Sequence, residues 1–191
     1  MYLKKMIGKK CYLSPNNVDD YEKYTEWITD MEVAVGMLFS SSLVTPLKEK
    51  ETLNRLANEN YNFAIVDLEQ DELIGNVGFP RIDTINRVAE LGIFIGNKNY
   101  WGNGYGTEAM QLLLDFGFNI LNLNTIFLKV YSYNQPAINC YKKAGLKEAG
   151  RIREAKQIAG EKYDEIYMDI LSREFKSIYV KDLVEKKNMK K

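Results

Sequence analysis

Between Leu91 and Glu108 the chain reads LGIFIGNKNYWGNGYGTE, and its capacity for chemistry rests on glycines. Leu91-Gly92-Ile93-Phe94-Ile95 is an apolar run of strand type, and Gly96-Asn97-Lys98-Asn99 is a polar turn. Gly102, Gly104 and Gly106 then alternate with Asn103 and Tyr105, just before a strong helical pattern that starts at Thr107. Glycine reaches positive φ without steric cost, and the first amides of a helix have no partner within it. At the positive end of the helix dipole such amides suit a phosphate or pyrophosphate. The plainer alternative is a glycine-rich turn between two elements. Three glycines at alternate positions against a helix start favour the anion site.

The other side chains narrow the chemistry. Histidine is absent, which excludes Ser-His-Asp, Cys-His and His-metal mechanisms. Cys11 and Cys140 are the two cysteines, neither a disulfide framework nor a zinc pattern, so no metal is expected. Lys plus Arg number 26 and Asp plus Glu 26, a balance that favours neither nucleic acid nor a membrane surface. No apolar run approaches the ~18 residues of a membrane span. The start, MYLKKMIGKK, lacks a signal-peptide core, so a cytoplasmic protein is expected. The 191 residues suit one domain with a sizeable core.

The elements that must position the loop follow from periodicity. Residues 10–14 read as a first strand ended by Pro15. Val18, Tyr21, Tyr24, Trp27 and Ile28 recur at helical spacing over residues 17–29. Residues 31–44 form an apolar, serine-rich stretch, read as broken helix and loop. Thr45-Pro46 opens a helix expected to end near Asn60. Residues 61–67, 73–79 and 87–95 read as three strands, with turns at 69–71 and 80–84 too short for crossovers; they predict an antiparallel meander. Ala109, Leu112, Leu113, Phe116 and Ile120 mark the amphipathic helix behind the loop. The strand at residues 125–131 should lie parallel to the one entering the loop, since strand–helix–strand is a right-handed crossover. A helix follows from Asn134-Gln135-Pro136 to Ala144, with Gly145 at the left-handed cap. Strands at 146–155 and 162–171 close the sheet, and residues 172–191 read as a helix with a basic end.

In this order the residues resemble the GCN5-related N-acetyltransferases (GNAT), in particular their ribosomal-protein and polyamine acetyltransferase-like branch. Trp101-Gly102-Asn103-Gly104-Tyr105-Gly106 stands in the register of the family's pyrophosphate motif. Ala89 to Gly96 looks like its central strand, and Asn134 to Leu146, NQPAINCYKKAGL, like its second signature. Two departures stand out: Trp101 replaces the usual Arg or Gln, and Asn103 a frequent Lys or Arg, so backbone amides must carry most of the phosphate contact. The resemblance implies an α/β (α+β) single-domain GNAT fold at residues 1–171. Its mixed, mostly antiparallel sheet would be splayed at the central parallel strand pair and flanked by helices, with a C-terminal helix and basic tail at 172–191.

The resemblance also implies a co-substrate, acetyl-CoA, and residue roles. Ile93, Phe94 and Ile95 match the strand amides that pair with the pantetheine arm, as an added β-strand would. Trp101, Gly102, Asn103, Gly104, Tyr105, Gly106 and Thr107 match the pyrophosphate site. Asn134 matches a pantetheine contact, and it suits a helix N-cap equally well. Tyr141 matches the general acid: a phenol of pKa about 10 can hydrogen-bond or protonate a departing thiolate whose acid lies near about 8.5. Glu90 is the candidate base, a carboxylate acting through water where no histidine exists; a salt-bridge partner is the alternative. Cys140 could suggest an acyl-enzyme, but nothing activates it, so direct attack in a ternary complex is expected.

The acceptor is less legible. Asp19, Asp20, Glu22, Glu26, Asp30 and Glu32 cluster in the first helical region and could attract a polyamine or another small-molecule amine, or be a solvated helix face. A peptide amine, as in protein N-terminal acetylation, is the runner-up. Antibiotic or amino-sugar modification and a non-catalytic acetyl-CoA-binding module are further readings. The tyrosine-rich last hairpin and C-terminal helix offer surface for a homodimer.

Overall fold

A computed structural model describes residues 1–38, 41–58 and 61–189. Eight strands form one sheet: β1 (Met6–Ile7), β2 (Cys11–Pro15), β3 (Asn62–Asp67), β4 (Leu73–Asp83), β5 (Val88–Ile95), β6 (Thr125–Tyr131), β7 (Lys147–Ile158) and β8 (Glu161–Leu171). Their spatial order is β1-β2-β3-β4-β5-β6-β8-β7. The meander β3–β4–β5 is antiparallel, as its short turns require. β5 and β6 pair in parallel, because the chain between them crosses over through helix α4 (Tyr105–Asn119).

Two layers of side chains hold this sheet. On one face α4 buries Ala109, Met110, Leu112, Leu113 and Phe116 against Phe63, Ile65, Phe79, Leu91, Ile126 and Leu128. Each large apolar side chain so buried contributes roughly 1.5–3 kcal/mol. On the other face α1 (Tyr21–Thr29) and α3 (Pro46–Asn58) set Tyr24, Trp27 and Leu53 against Tyr12, Ala64, Val66 and Leu73. That second layer stops at β5, where Phe94 meets the rings of Tyr24 and Trp27 edge-on at 5.9 and 6.5 Å. Beyond it β6 and β8 alternate: Ile126, Leu128, Val130, Ile166, Met168 and Ile170 are buried, while Phe127, Lys129, Tyr131, Glu165, Tyr167 and Asp169 are half-buried on the face that no helix among the described residues covers. α2 (Met31–Ala34) and α5 (Gln135–Ala144) stand at the end of the sheet where β5 and β6 finish.

Several sequence expectations need correction. The turn expected at 80–84 is strand: β4 runs through Asp83, with a register shift between Gly78 and Arg81. Pro80, lacking an N–H, sits at that irregularity, where no ladder bond is required. α4 starts at Tyr105, two positions before Thr107, because Gly104 takes the cap at φ 86°. Residues 172–191 are not one helix: a single 3₁₀ turn at Ser172–Glu174 precedes α6 (Val180–Asn188). The buried Asp115 carboxylate decides that start, accepting from the amides of Ile178, Tyr179 and Val180 at 2.9, 2.7 and 3.1 Å. Cys11 to Pro15 forms the expected first strand, preceded by the short β1 that periodicity missed. Asn60, expected to end α3, and Lys190 and Lys191 of the tail lie outside the described residues, as do Phe39 and Ser40 in the stretch 31–44.

Candidate active site

The site begins where the parallel pair ends. β5 and β6 are in register only at Val88 with Thr125, Ala89 with Ile126 and Glu90 with Phe127. Past that point β5 runs on to Ile95 beside β4, while β6 follows β8 as far as Tyr131 opposite Glu165. The two strands therefore part, leaving a gap with one unpaired backbone edge on each side. Gly96 N–H donates to the Ile74 carbonyl at 2.9 Å, which sets the phase of the β4–β5 ladder. Alternation along an antiparallel pair then turns the amides of Phe94 toward β4 and those of Ile93 and Ile95 into the gap. Phe94 lends its ring to the packing beneath the gap rather than its amide to the edge.

The glycine loop closes the open end of β5. Trp101 N–H donates to Lys98 O at 3.0 Å, and the next such bond is Glu108 N–H to Gly104 O at 3.1 Å. Between them, the six amides from Gly102 to Thr107 make no hydrogen bond of ordinary geometry to a described residue. Gly102 and Gly104 lie at φ 73° and 86°, the left-handed region that an L side chain enters only with strain. No side chain caps α4. The arrangement is a row of unpartnered donors at a helix N-terminus.

Side chains around the loop face elsewhere and hold it. Tyr105 donates its hydroxyl to Asp67 Oδ2 at 2.8 Å and packs edge-on against Tyr100 at 4.9 Å. Asn103 Nδ2 donates to Asn99 O at 3.3 Å, so the side chain folds back on its own loop. Trp101 Nε1 donates to Ile95 O at 2.8 Å, engaging one of the two carbonyls of β5 that face the gap. Neither the Trp101 bond nor the Glu108 contacts described below was read from sequence; both depend on how the loop lies.

α5 brings the second signature to the same place. Thr107 Oγ1 lies 3.3 Å from Cys140 Sγ, and a Cβ on Gly106 would stand 3.4 Å from that sulfur, so Gly106 permits the close approach of the two helices. Tyr141, next in sequence, is half-buried with its ring against the α4 core. Its hydroxyl has no partner among the described residues, and burial raises its pKa above the usual phenol range. Burial also pushes the Cys140 thiol up, the Thr107 contact acting the other way. Asn134 caps α5, accepting from Ala137 N–H at 3.2 Å, and its Nδ2 donates to Gly36 O at 3.2 Å. Beside it, Tyr133 donates its hydroxyl to Val35 O at 2.7 Å. The loop before α5 thus ties down the segment after α2.

Glu90 occupies the last paired position of β5, at the apex of the gap. Its carboxylate lies 3.3 Å from Lys129 Nζ and 3.8 Å from Arg81 Nε, so the salt-bridge role is realised. The acidic cluster of the first helices is not one patch. Asp30 and Glu32 both hold Lys98 at 2.7 Å, Asp20 accepts the Tyr2 hydroxyl, and Asp19, Glu22 and Glu26 are exposed. Among the described residues no group of three or more metal-ligating side chains is arranged to hold a metal ion, and no helix is long and apolar enough to cross a membrane.

A splayed parallel pair, a glycine loop of free amides and a phenol on the adjoining helix define the class. The family model of the acetyltransferase (GNAT) domain matches residues 10–147, and the chain belongs to that family. It is an acetyl-CoA-dependent N-acetyltransferase. It is 34% identical over 164 residues to the uncharacterized N-acetyltransferase p20 of Bacillus licheniformis, covering 86% of this chain and 85% of that one. Spermidine N(1)-acetyltransferase of Escherichia coli K12 is 34% identical over 104 residues, 54% of this chain and 55% of the relative. The structure of spermidine N-acetyltransferase from Vibrio cholerae in complex with CoA and spermine superposes with TM-score 0.79 at 26% identity, covering 88% of this chain and 99% of that one.

Proposed function

We propose that this acetyltransferase acetylates a small primary amine of the polyamine kind, by direct attack within a ternary complex. The observation that carries the reading is the gap itself. Free amides of Gly102–Thr107 lie at its mouth, Ile93 and Ile95 turn their amides into it, and Tyr141 and Glu90 belong to the elements that bound it. The amides suit a diphosphate and the β5 edge an amide-bearing arm. Trp101 shares the Ile95 carbonyl or yields it when the arm enters. Asn134 keeps α5 in place and is the side chain next to that arm.

The acceptor arrives as an ammonium ion and must lose a proton before its nitrogen can attack. Glu90 takes that proton through water, with Lys129 and Arg81 fixing its position. The C–N bond then forms at the thioester carbonyl, the C–S bond breaks, and the sulfur leaves as thiolate. Tyr141, kept protonated by its raised pKa, gives its proton to that sulfur to form the thiol and is reprotonated by the second proton that the new amide nitrogen sheds. The high thiol pKa of Cys140 argues against a covalent acetyl-enzyme.

A cationic acceptor is supported by the uncovered face of the sheet. Tyr133 stacks with Tyr131 at 5.7 Å and meets Tyr163 edge-on at 4.9 Å, with Glu165 paired opposite Tyr131. Aromatic faces beside a carboxylate attract alkylammonium groups. The spermidine acetyltransferases among the relatives point the same way.

Thiol release from acetyl-CoA, measured with spermidine, spermine, peptides with free N-termini, aminoglycosides and amino sugars, tests the reading. Turnover is expected with the polyamines. Turnover confined to peptides or to sugars would replace the acceptor, and silence across the panel with CoA still bound would replace the enzyme by a binding module.

A further inference from the structure

The diphosphate loop contains no cation: from Trp101 to Thr107 there is neither Lys nor Arg, and Asn103 is turned back onto Asn99 O. Lys98, just before it, is neutralised by Asp30 and Glu32. Glu108 in the first turn of α4 adds a negative charge close to where a diphosphate would bind. Free amides alone would have to offset the charge of the ligand.

The β1–β2 turn answers both needs. Glu108 accepts from the amides of Lys9 at 2.9 Å, Lys10 at 2.7 Å and Cys11 at 2.9 Å, so its carboxylate is drawn away from the loop and engaged. The fit is close: a Cβ on Gly8 would stand 2.6 Å from the Glu108 carboxyl and 2.9 Å from Cys11 O. Clamped in this way, the turn presents Lys10 beside the loop. Lys10 Cε comes within 3.9 Å of a Cβ built on Gly104, and its Nζ lies 5.6 Å from the centre of the Tyr105 ring. Lys10 makes no ion pair with a described residue. It lines an open cavity of about 480 Å³ with Gln70, Glu72, Asn99, Tyr100, Asn103 and Tyr105; the Glu72 carboxylate there is engaged by Lys23, Asn97 and Tyr100 rather than by Lys10, so the Lys10 ammonium has room to move. We propose that Lys10, held in place by the Glu108 clamp, is the cation that binds the diphosphate of the coenzyme, acting with the amides of Gly102–Thr107.

This assignment rests on the acetyl-CoA reading of the loop, and the experiment separates the two. Affinity for CoA and dephospho-CoA, by titration calorimetry at low and moderate salt, is compared in the wild type, Lys10→Ala and Lys10→Arg, alongside kcat/KM with acetyl-pantetheine, a thioester without phosphates. Lys10→Ala should weaken both CoA and dephospho-CoA about 5- to 10-fold, with a shallower salt dependence, as expected for loss of one charge-assisted contact. Lys10→Arg should restore most of the loss, and acetyl-pantetheine should be used equally well by all three. Unchanged CoA affinity in Lys10→Ala overturns the proposal, as does an equal loss with acetyl-pantetheine, which would make Lys10 structural. A loss for CoA but not for dephospho-CoA overturns the diphosphate assignment in favour of the 3′-phosphate. Failure of the wild-type protein to bind CoA would instead remove the reading beneath it.

Discussion

The two sides of the gap are built from different material. On the β5–α4 side the groups offered to a ligand belong to the backbone: six amides from Gly102 to Thr107 and the edge of Ile93 and Ile95. They are unpaired because the ends of strands and helices leave donors over, and the surrounding side chains are occupied with holding the loop. At the apex and on the β6–β8–β7 side the groups are side chains, and they already satisfy one another. Glu90 holds Lys129, Lys129 lies over the Tyr167 ring at 5.7 Å, and Arg151 holds Glu148 and Asp164 at 2.7 and 3.1 Å. The first side needs no rearrangement to meet a ligand. On the second, a polar ligand would have to displace internal partners, so small changes of sequence can alter what it accepts.

Three substitutions sharpen this contrast. Tyr141→Phe should lower kcat by about 100-fold or more, the scale of a positioned proton donor, while the KM for acetyl-CoA stays within about 2-fold because uniform binding is untouched. Steady-state kinetics with a saturating amine would show it, and unaltered turnover removes the phenol from the chemistry. Glu90→Gln is expected to cost about 10- to 100-fold in kcat, as for loss of a base that works through water. The deficit should shrink as pH rises, since more of the amine is then already deprotonated; a constant deficit from pH 6 to 10 would leave Glu90 a purely structural partner of Lys129. Gly104→Ala places a side chain at positive φ, where the strain is about 1 kcal/mol or more. Acetyl-CoA KM should rise about 5- to 10-fold with kcat and acceptor KM little changed, and a defect on the acceptor side instead would erase the division drawn here.

Much of the β5–α4 side was legible in the chain because it depends on short-range rules. A run such as Ile93-Phe94-Ile95, glycines at 102, 104 and 106 and the apolar spacing of α4 each declare themselves within a few residues, and the crossover rule makes β6 parallel to β5. The register of Asn134 and Tyr141 on α5 is local in the same way. Errors arose where a distant partner decided the outcome. α6 begins at Val180 because Asp115, on another helix, accepts its first amides. β4 continues through Pro80 because the irregularity at that point needs no amide. The acidic residues near α1 looked like one patch, yet Lys98, from the turn after β5, takes two of them.

The sequence by itself therefore determined most of the elements, their order and the glycine loop, since glycine placement and hydrophobic period act through the backbone and its nearest neighbours. Only the tertiary structure decided how far β5 and β6 stay paired, that Glu90 meets Lys129 at the apex, and that Lys10 reaches Gly104. Those outcomes depend on side chains brought together by packing across the sheet, and distance along the chain carries no record of them.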